Sequence, residues 1–331
     1  MRHVLIAAAL GAAICTGLQT GVSHAALLEE SETAAIEARI AALAQIAGGR
    51  VGVTAFALEG GPAVGLNADE AFPMASTFKI AAAAAVLARV DAGELSLDTM
   101  VDIPQERYVL SDVIANRLIH PGVALSVANL IELNITESDN TAADMLTELA
   151  GGPQAVTQWL RAQGIEDQRV DRDTAGLIRD FFALPDGPLI HTVPAALEAD
   201  PQIFQRGQQP NPDFDTDPRD TSSPRAMARL IARIAQGEAL SEASTEFLLA
   251  SMARTRTGAG RLRGLLPGGT QVAHKTGTIG GTVNDAGLIT LPDGRRIVVV
   301  VFVKESAAPM PERERAIAEI TRTLHDWFLV R

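Results

Sequence analysis

The chain has 331 residues and a formal net charge of -12, with 47% hydrophobic and 21% charged residues. That balance excludes a disordered or fibrous chain, and the acidity argues against nucleic-acid binding, which needs concentrated positive charge. A single cysteine, Cys15, excludes an internal disulfide and a thiolate zinc cluster.

The amino terminus reads as a secretory leader, residues 1–25. Arg2 and His3 precede the apolar run Val4 to Ile14, and Ser23-His24-Ala25 offers small residues for cleavage near Ala25. The run is short for a bilayer span, so an uncleaved anchor is the weaker reading. A periplasmic or secreted protein without a stable membrane anchor follows from cleavage.

A helix is predicted from Glu29 to Ile46, stopped by Gly48-Gly49. Val51 to Leu58 reads as a strand, and Ala63 to Leu66 returns after the Gly60-Gly61-Pro62 turn. Ala75 to Ala92 is an unbroken helix-forming stretch. Further helices are expected at Val109–Leu118, Ser126–Leu133, Thr141–Ala150, Pro153–Gln163, Ser223–Ala235 and Ser241–Met252. Strands return at Thr270–His274, Val283–Leu291 and the β-branched Arg296–Val303, before a closing helix at Glu312–Phe328. A sheet built from both chain ends, with a helical domain inserted between them, accounts for this order. The expected division is an α/β domain of residues 26–72 plus 222–331, and a mainly helical domain of residues 73–221. Asp173 to Thr216 holds six prolines with short helical patches between them, and is expected to be a long connection with little regular structure.

Three short patterns carry chemistry. Ser76-Thr77-Phe78-Lys79 puts a hydroxyl and an amine on one face at a helix start, where backbone amides favour developing negative charge. Ser138-Asp139-Asn140 precedes a helix and equally fits ordinary capping. His274-Lys275-Thr276-Gly277-Thr278 ends a predicted strand, with a glycine that admits close backbone approach. Each pattern is weak alone.

Together, in this order, they make the chain resemble the class A β-lactamases and the related penicillin-binding proteins, which are built on Ser-x-x-Lys, Ser-Asp-Asn and Lys-Thr-Gly elements. The resemblance covers essentially the whole mature chain. It implies an antiparallel sheet flanked by helices, a second all-helical domain, and the active site between them. It implies Ser76 as nucleophile, Lys79 as its base or proton relay, and Ser138 as donor to the leaving nitrogen. Asn140 would hold the substrate side-chain carbonyl, and Lys275 and Thr276 the substrate carboxylate, beside Gly277. The backbone N–H groups of Ser76 and Thr278 would form the oxyanion hole. Tyr108 falls where relatives place an aromatic wall at the cleft mouth. Asn284 stands where the family often carries a carboxylate-binding arginine, and Arg261 is the compensating candidate.

The pattern breaks where the family carries its deacylation glutamate, because that position falls on Thr174. Asp173, Glu198 and Asp200 are the nearest acids in the extended loop, with Asp180 and Asp186 behind them. Arg172 and Asp220 would pair at the loop neck. Asp144, Glu148 and Glu312-Arg313-Glu314-Arg315 read as solvated helix faces. The six histidines are scattered, and no cofactor or metal is expected. The resemblance therefore implies a monomeric serine β-lactamase acting on a small β-lactam or peptidoglycan-like substrate. The alternatives are a DD-carboxypeptidase-like hydrolase that deacylates β-lactams slowly, and a non-hydrolytic penicillin-binding sensor.

Overall fold

The computed structural model describes residues 24–111 and 113–331. The expected leader lies outside the described residues but for its last two positions, and so does Cys15. In chain order the elements begin with α1 (His24–Ala44), β1 (Arg50–Ala57), β2 (Val64–Leu66), β3 (Phe72–Pro73), α2 (Lys79–Asp91), β4 (Met100–Ile103), α3 (Ile114–Arg117) and β5 (Val123–Ser126). Next come α4 (Val127–Thr136), α5 (Asn140–Leu149), α6 (Pro153–Ala162), α7 (Thr174–Phe182), α8 (Leu189–Ala199), α9 (Ile203–Arg206) and α10 (Pro212–Asp215). The chain ends with β6 (Thr221–Ser222), α11 (Pro224–Ala235), α12 (Glu242–Ala253), β7 (Val272–Ile279), β8 (Thr282–Thr290), β9 (Arg296–Lys304) and α13 (Met310–Leu329).

The main sheet runs β2-β1-β9-β8-β7, and every pairing in it is antiparallel. Its centre is β9, where Ile297 through Val303 are all fully buried. Both faces of this strand are covered, so its sequence is continuously apolar rather than alternating. Burying one such side chain is worth about 1.5–3 kcal/mol. Alternate residues point to opposite faces. Val299, Val301 and Val303 meet Ile36 and Ile40 of α1 and Ile317, Ile320 and Leu324 of α13. Val298, Val300 and Phe302 face α11 and the helical half of the molecule.

The helical half is organised round α2. Ala81 to Val86 are buried on all sides, and α4, α5, α6 and α12 pack against this helix. A helix apolar all round belongs in a core. Its small side chains let four neighbours approach. Capping side chains set several helix starts: Ser126 for α4, Asp139 for α5, Asp173 for α7, Ser223 for α11 and Ser241 for α12.

Four expectations need correction. Residues 173–216 hold four helices, α7 to α10, so the stretch is more regular than the short helical patches expected there. Pro188 caps α8 and Pro212 opens α10, and a proline in the first turn breaks no helix because its N–H would be unpaired there anyway. The helix expected over Val109–Leu118 shrinks to the single turn α3. The stretch from Ala75 opens as a tight 3₁₀ turn over Ala75–Phe78 before α2 begins at Lys79. The strand expected to end at His274 instead runs on to Ile279, so Lys275-Thr276-Gly277-Thr278 lies within β7.

Candidate active site

Ser76 sits on the 3₁₀ turn that delivers the chain into α2. Ala75, just before it, has φ +45°, a left-handed conformation costly for a non-glycine residue. The turn is held from the sheet. Asn284 of β8 donates Nδ2 to Pro73 O at 2.8 Å and to Met74 O at 3.1 Å, and its Oδ1 accepts from Val303 N. Asn284 is fully buried. On β7, a Cβ added at Gly277 would lie 2.5 Å from Met74 O and 3.1 Å from Ser76 N. Only glycine lets the strand come this close to the nucleophile turn.

Lys79, at the first position of α2, is completely buried. Its Nζ donates to Ser138 O at 2.6 Å and Asn140 Oδ1 at 2.7 Å, and lies 3.3 Å from Ser138 Oγ. Burial pushes its pKa down to about 7, against the opposing charges of Asp139 and Asp144. Lys275 of β7 is also fully buried and donates Nζ to Ser138 Oγ at 2.9 Å. Burial, and then the charge of Lys79, hold the Lys275 ammonium well below its ordinary value. The Ser138 hydroxyl therefore bridges two lysines, from a residue whose own φ is +56°.

The remaining predicted residues fall around these. Asn140 donates Nδ2 to Leu110 O at 2.6 Å. Thr276 shares a 2.6 Å hydroxyl contact with Thr257. Arg261 is 6% exposed and lies along β7: Nη1 donates to Gly277 O and Asn284 O, Nη2 to Thr278 Oγ1, and Nε to Glu314. Arg172 and Asp220 pair at 2.6 Å, and Asp220 also accepts the backbone N–H groups of Asp171 and Arg172.

Two cavities meet at Ser76, Asn140 and Thr278. One, about 510 Å³, is polar and includes Ser138, Thr276 and Arg261 in its lining. The other, about 270 Å³, is apolar and is roofed by Leu177, Ile178 and Phe182 of α7. The extended segment supplies that roof and is fixed to the sheet end. Arg313, 3% exposed, donates to Gly280 O at 2.8 Å and Gln208 O at 3.2 Å. Phe181 stacks edge-on against Phe182 and Phe214.

Several expected residues lie elsewhere. Tyr108 is 4% exposed, with its hydroxyl on Leu118 O at 2.8 Å. It packs in the core, and Leu110 and Ser111 line the polar cavity instead. Asp173 spends its carboxylate capping α7, accepting from Gly176 N at 2.7 Å. Glu198 is exposed on α8, and Asp200 pairs with Arg206. None of these three acids lines either cavity at Ser76. Asp144 and Arg313, read from sequence as solvated, are buried. The roles of Asp144, Asn284 and Arg313 were missed. The one available signal was the Asn140–Asp144 spacing, which puts both on one face of a helix.

The family described as the β-lactamase enzyme family matches residues 35–328. The chain belongs to that family. It is 33% identical over 272 residues to the extended-spectrum β-lactamase PER-1 of Pseudomonas aeruginosa, covering 80% of this chain and 78% of that one. It is 32% identical over 284 residues to β-lactamase L2 of Stenotrophomonas maltophilia, covering 85% and 82%. Among solved structures, an ancestral class A β-lactamase superposes with a TM-score of 0.73 at 37% identity, covering 88% of this chain and all of that one. A β-lactamase from Chitinophaga pinensis gives 0.74 at 31% identity, covering 89% and 99%. The fold of this β-lactamase family member is that of class A.

Proposed function

We propose that the protein hydrolyses the lactam amide of penicillins and cephalosporins through an acyl-enzyme on Ser76. The observation that carries this reading is the Ser138 hydroxyl held between two buried lysines in a cavity that Ser76 shares. Near neutral pH a substantial fraction of Lys79 is free amine, able to take the Ser76 proton as Ser76 Oγ attacks the carbonyl carbon. The proton passes through Ser138 to the lactam nitrogen as the C–N bond breaks. Developing oxyanion charge falls to the backbone N–H groups of Ser76 and Thr278. Losing one such donor typically costs about 2.7–4 kcal/mol. Lys275, Thr276 and Arg261 supply the positive, hydrogen-bonding wall for the substrate carboxylate. Asn140 takes the side-chain carbonyl.

The leader read in residues 1–25 supports an activity outside the cytoplasm, and the family resemblance supports a monomer. Among the described residues no helix is long and apolar enough to cross a membrane.

A second reading has its own support. Thr174 occupies the water-activating position, which favours a hydrolase that stalls as acyl-enzyme, like a DD-carboxypeptidase. Rapid mixing with a chromogenic cephalosporin, with intact-mass detection, separates the two. Many turnovers per site with adduct only on Ser76 support hydrolysis. A stoichiometric burst followed by silence supports the second reading.

A further inference from the structure

Among the described residues, no helix or strand lies between Ala253, the end of α12, and Val272, the start of β7. Arg261 stands in that segment and lines the polar cavity. Side-chain ties therefore have to hold it against the sheet. Two of them reach β7: Thr255 Oγ1 donates to His274 O at 2.6 Å, and Thr257 Oγ1 meets Thr276 Oγ1 at 2.6 Å.

A third tie comes from the neighbouring strand. Asp285 of β8 accepts from the backbone N–H of Leu262, the residue after Arg261, at 3.2 Å through Oδ2. Asp285 is fully buried and lies directly opposite Thr276 in the β7–β8 register, so the two share a face. His274, two positions before Thr276 on that face, is also fully buried. Its Nδ1 lies 2.9 Å from both carboxylate oxygens of Asp285. His274 pairs with Gly287, where an added Cβ would come within 2.6 Å of the His274 Cβ, so the glycine makes room for the histidine. His274 Nε2 has no partner among the described residues, which puts the ring proton on Nδ1 as donor to the carboxylate.

A fully buried carboxylate is tolerated only when hydrogen bonds or charges answer it. The Ser76 proton path makes no use of this one. Its two partners lead instead to the two sides of the substrate-carboxylate wall. Leu262 adjoins Arg261, and His274 adjoins Lys275.

We propose that Asp285 and His274 are positioning residues for the substrate carboxylate, locking the segment that bears Arg261 to the strand that bears Lys275 and Thr276. Neither touches the substrate; the pair acts through where the guanidinium and the ammonium stand. Misplacing such groups by about 1 Å can cost as much as 100-fold in rate. The inference rests on the β-lactam reading, in which those cations meet a carboxylate.

The test measures kcat/KM for a penicillin and for its methyl ester, which lacks the charge that the wall receives. Asp285→Ala removes the ties to Leu262 and His274. The preference for the acid should fall about tenfold or more, mainly through KM, with the ester much less affected. Damage spread through the fold would slow both substrates alike. Asp285→Asn keeps the ties, because a carbonyl oxygen in the place of Oδ2 accepts from both Leu262 N and His274 Nδ1. The charge it loses acts in two directions, since Asp285 repels the substrate carboxylate but favours the Lys275 ammonium. Its acid preference should stay within about threefold of wild type. Where Asp285→Ala does not fold, His274→Leu breaks one tie and should lower the preference in the same sense. An unchanged preference in folded Asp285→Ala or His274→Leu overturns the proposal, and so does an equal loss in Asp285→Asn. Failure of the β-lactam reading itself would show differently, as no adduct and no turnover in the wild-type protein.

Discussion

The Lys275 ammonium donates to Ser138 Oγ at 2.9 Å, joining an edge strand to a helix start 137 positions away. Lys79 approaches the same oxygen at 3.3 Å. Two ammonium groups buried round one hydroxyl repel each other, and among the described residues neither has a carboxylate within ion-pair distance. The arrangement favours the free amine on at least one of them, and a free amine can accept a proton.

The first prediction follows for Lys79, whose pKa is lowered to about 7. Its neutral form is the base, so protonation abolishes it. Acylation, read as kcat/KM by single-turnover mixing, should fall about tenfold per pH unit below about 7 and level off above. The falling limb should vanish in Lys79→Ala, together with most of the rate. A flat wild-type profile between pH 5 and 8 would remove Lys79 from the proton path.

Asn284 gives a second prediction. The family's frequent arginine is absent here, and this amide ties β8 and β9 to the turn before Ser76. Asn284→Ala removes a donor from the Pro73 and Met74 carbonyls and an acceptor from the Val303 N–H in a buried site, although Met74 O keeps Thr77 as a partner. The cost should be about 2–4 kcal/mol in denaturant unfolding, with slower acylation as the turn loosens. Unchanged stability with unchanged acylation would show the tie to be idle.

How much of this was legible depended on how local the signal was. Ser76–Lys79, Ser138–Asn140 and Lys275–Thr278 are contiguous patterns, and each could be found without knowing its neighbours. The β-branched run from Ile297 to Val303 likewise announces a buried strand by itself. The Asn140–Asp144 spacing puts Asp144 on the site face of its helix but does not say what it binds, because its partners are two amides 30 and 31 residues away. Arg313 looked solvated among Glu312, Glu314 and Arg315, since sequence does not say which helix face meets a loop. Proline counting misled over residues 173–216, because Pro188 and Pro212 stand at helix starts and α8 continues through Pro194. Tyr108 turns into the core because the chain after it forms only the single turn α3 in place of the expected helix.

Arg261 carries a third prediction. Its guanidinium has five N–H donors, and four are engaged by Glu314, Gly277, Asn284 and Thr278. One remains for the polar cavity that Arg261 lines. Arg261→Ala should raise KM for penicillins roughly tenfold or more, with a smaller change in kcat. Arg261→Lys should not restore it, since an ammonium cannot reproduce the fork. Equal KM in Arg261→Ala and wild type across several penicillins would discard the assignment.

The fourth prediction concerns the clamp that seats the apolar roof. Arg313 reaches Gly280 O, Gln208 O and, at 2.5 Å, Ala308 O. It thereby joins the end of β7, the extended segment and the start of α13. A Cβ at Gly280 would come within 2.9 Å of the Phe181 ring, so the contact is close as well as polar. Arg313→Met fills much of the volume but leaves three carbonyls without a donor. It should cost about 2–4 kcal/mol of stability. In a chain of this size that lowers Tm by several degrees. The cavity roofed by Leu177, Ile178 and Phe182 should open with it. KM should then rise more for penicillins with bulky apolar side chains than for those with small ones. If Arg313→Met melts with the wild type and treats both substrate groups alike, the extended segment holds its place by its other ties, Arg172–Asp220 at the neck and Asp144 on the Thr174 and Ala175 amides, and the roof owes nothing to the clamp.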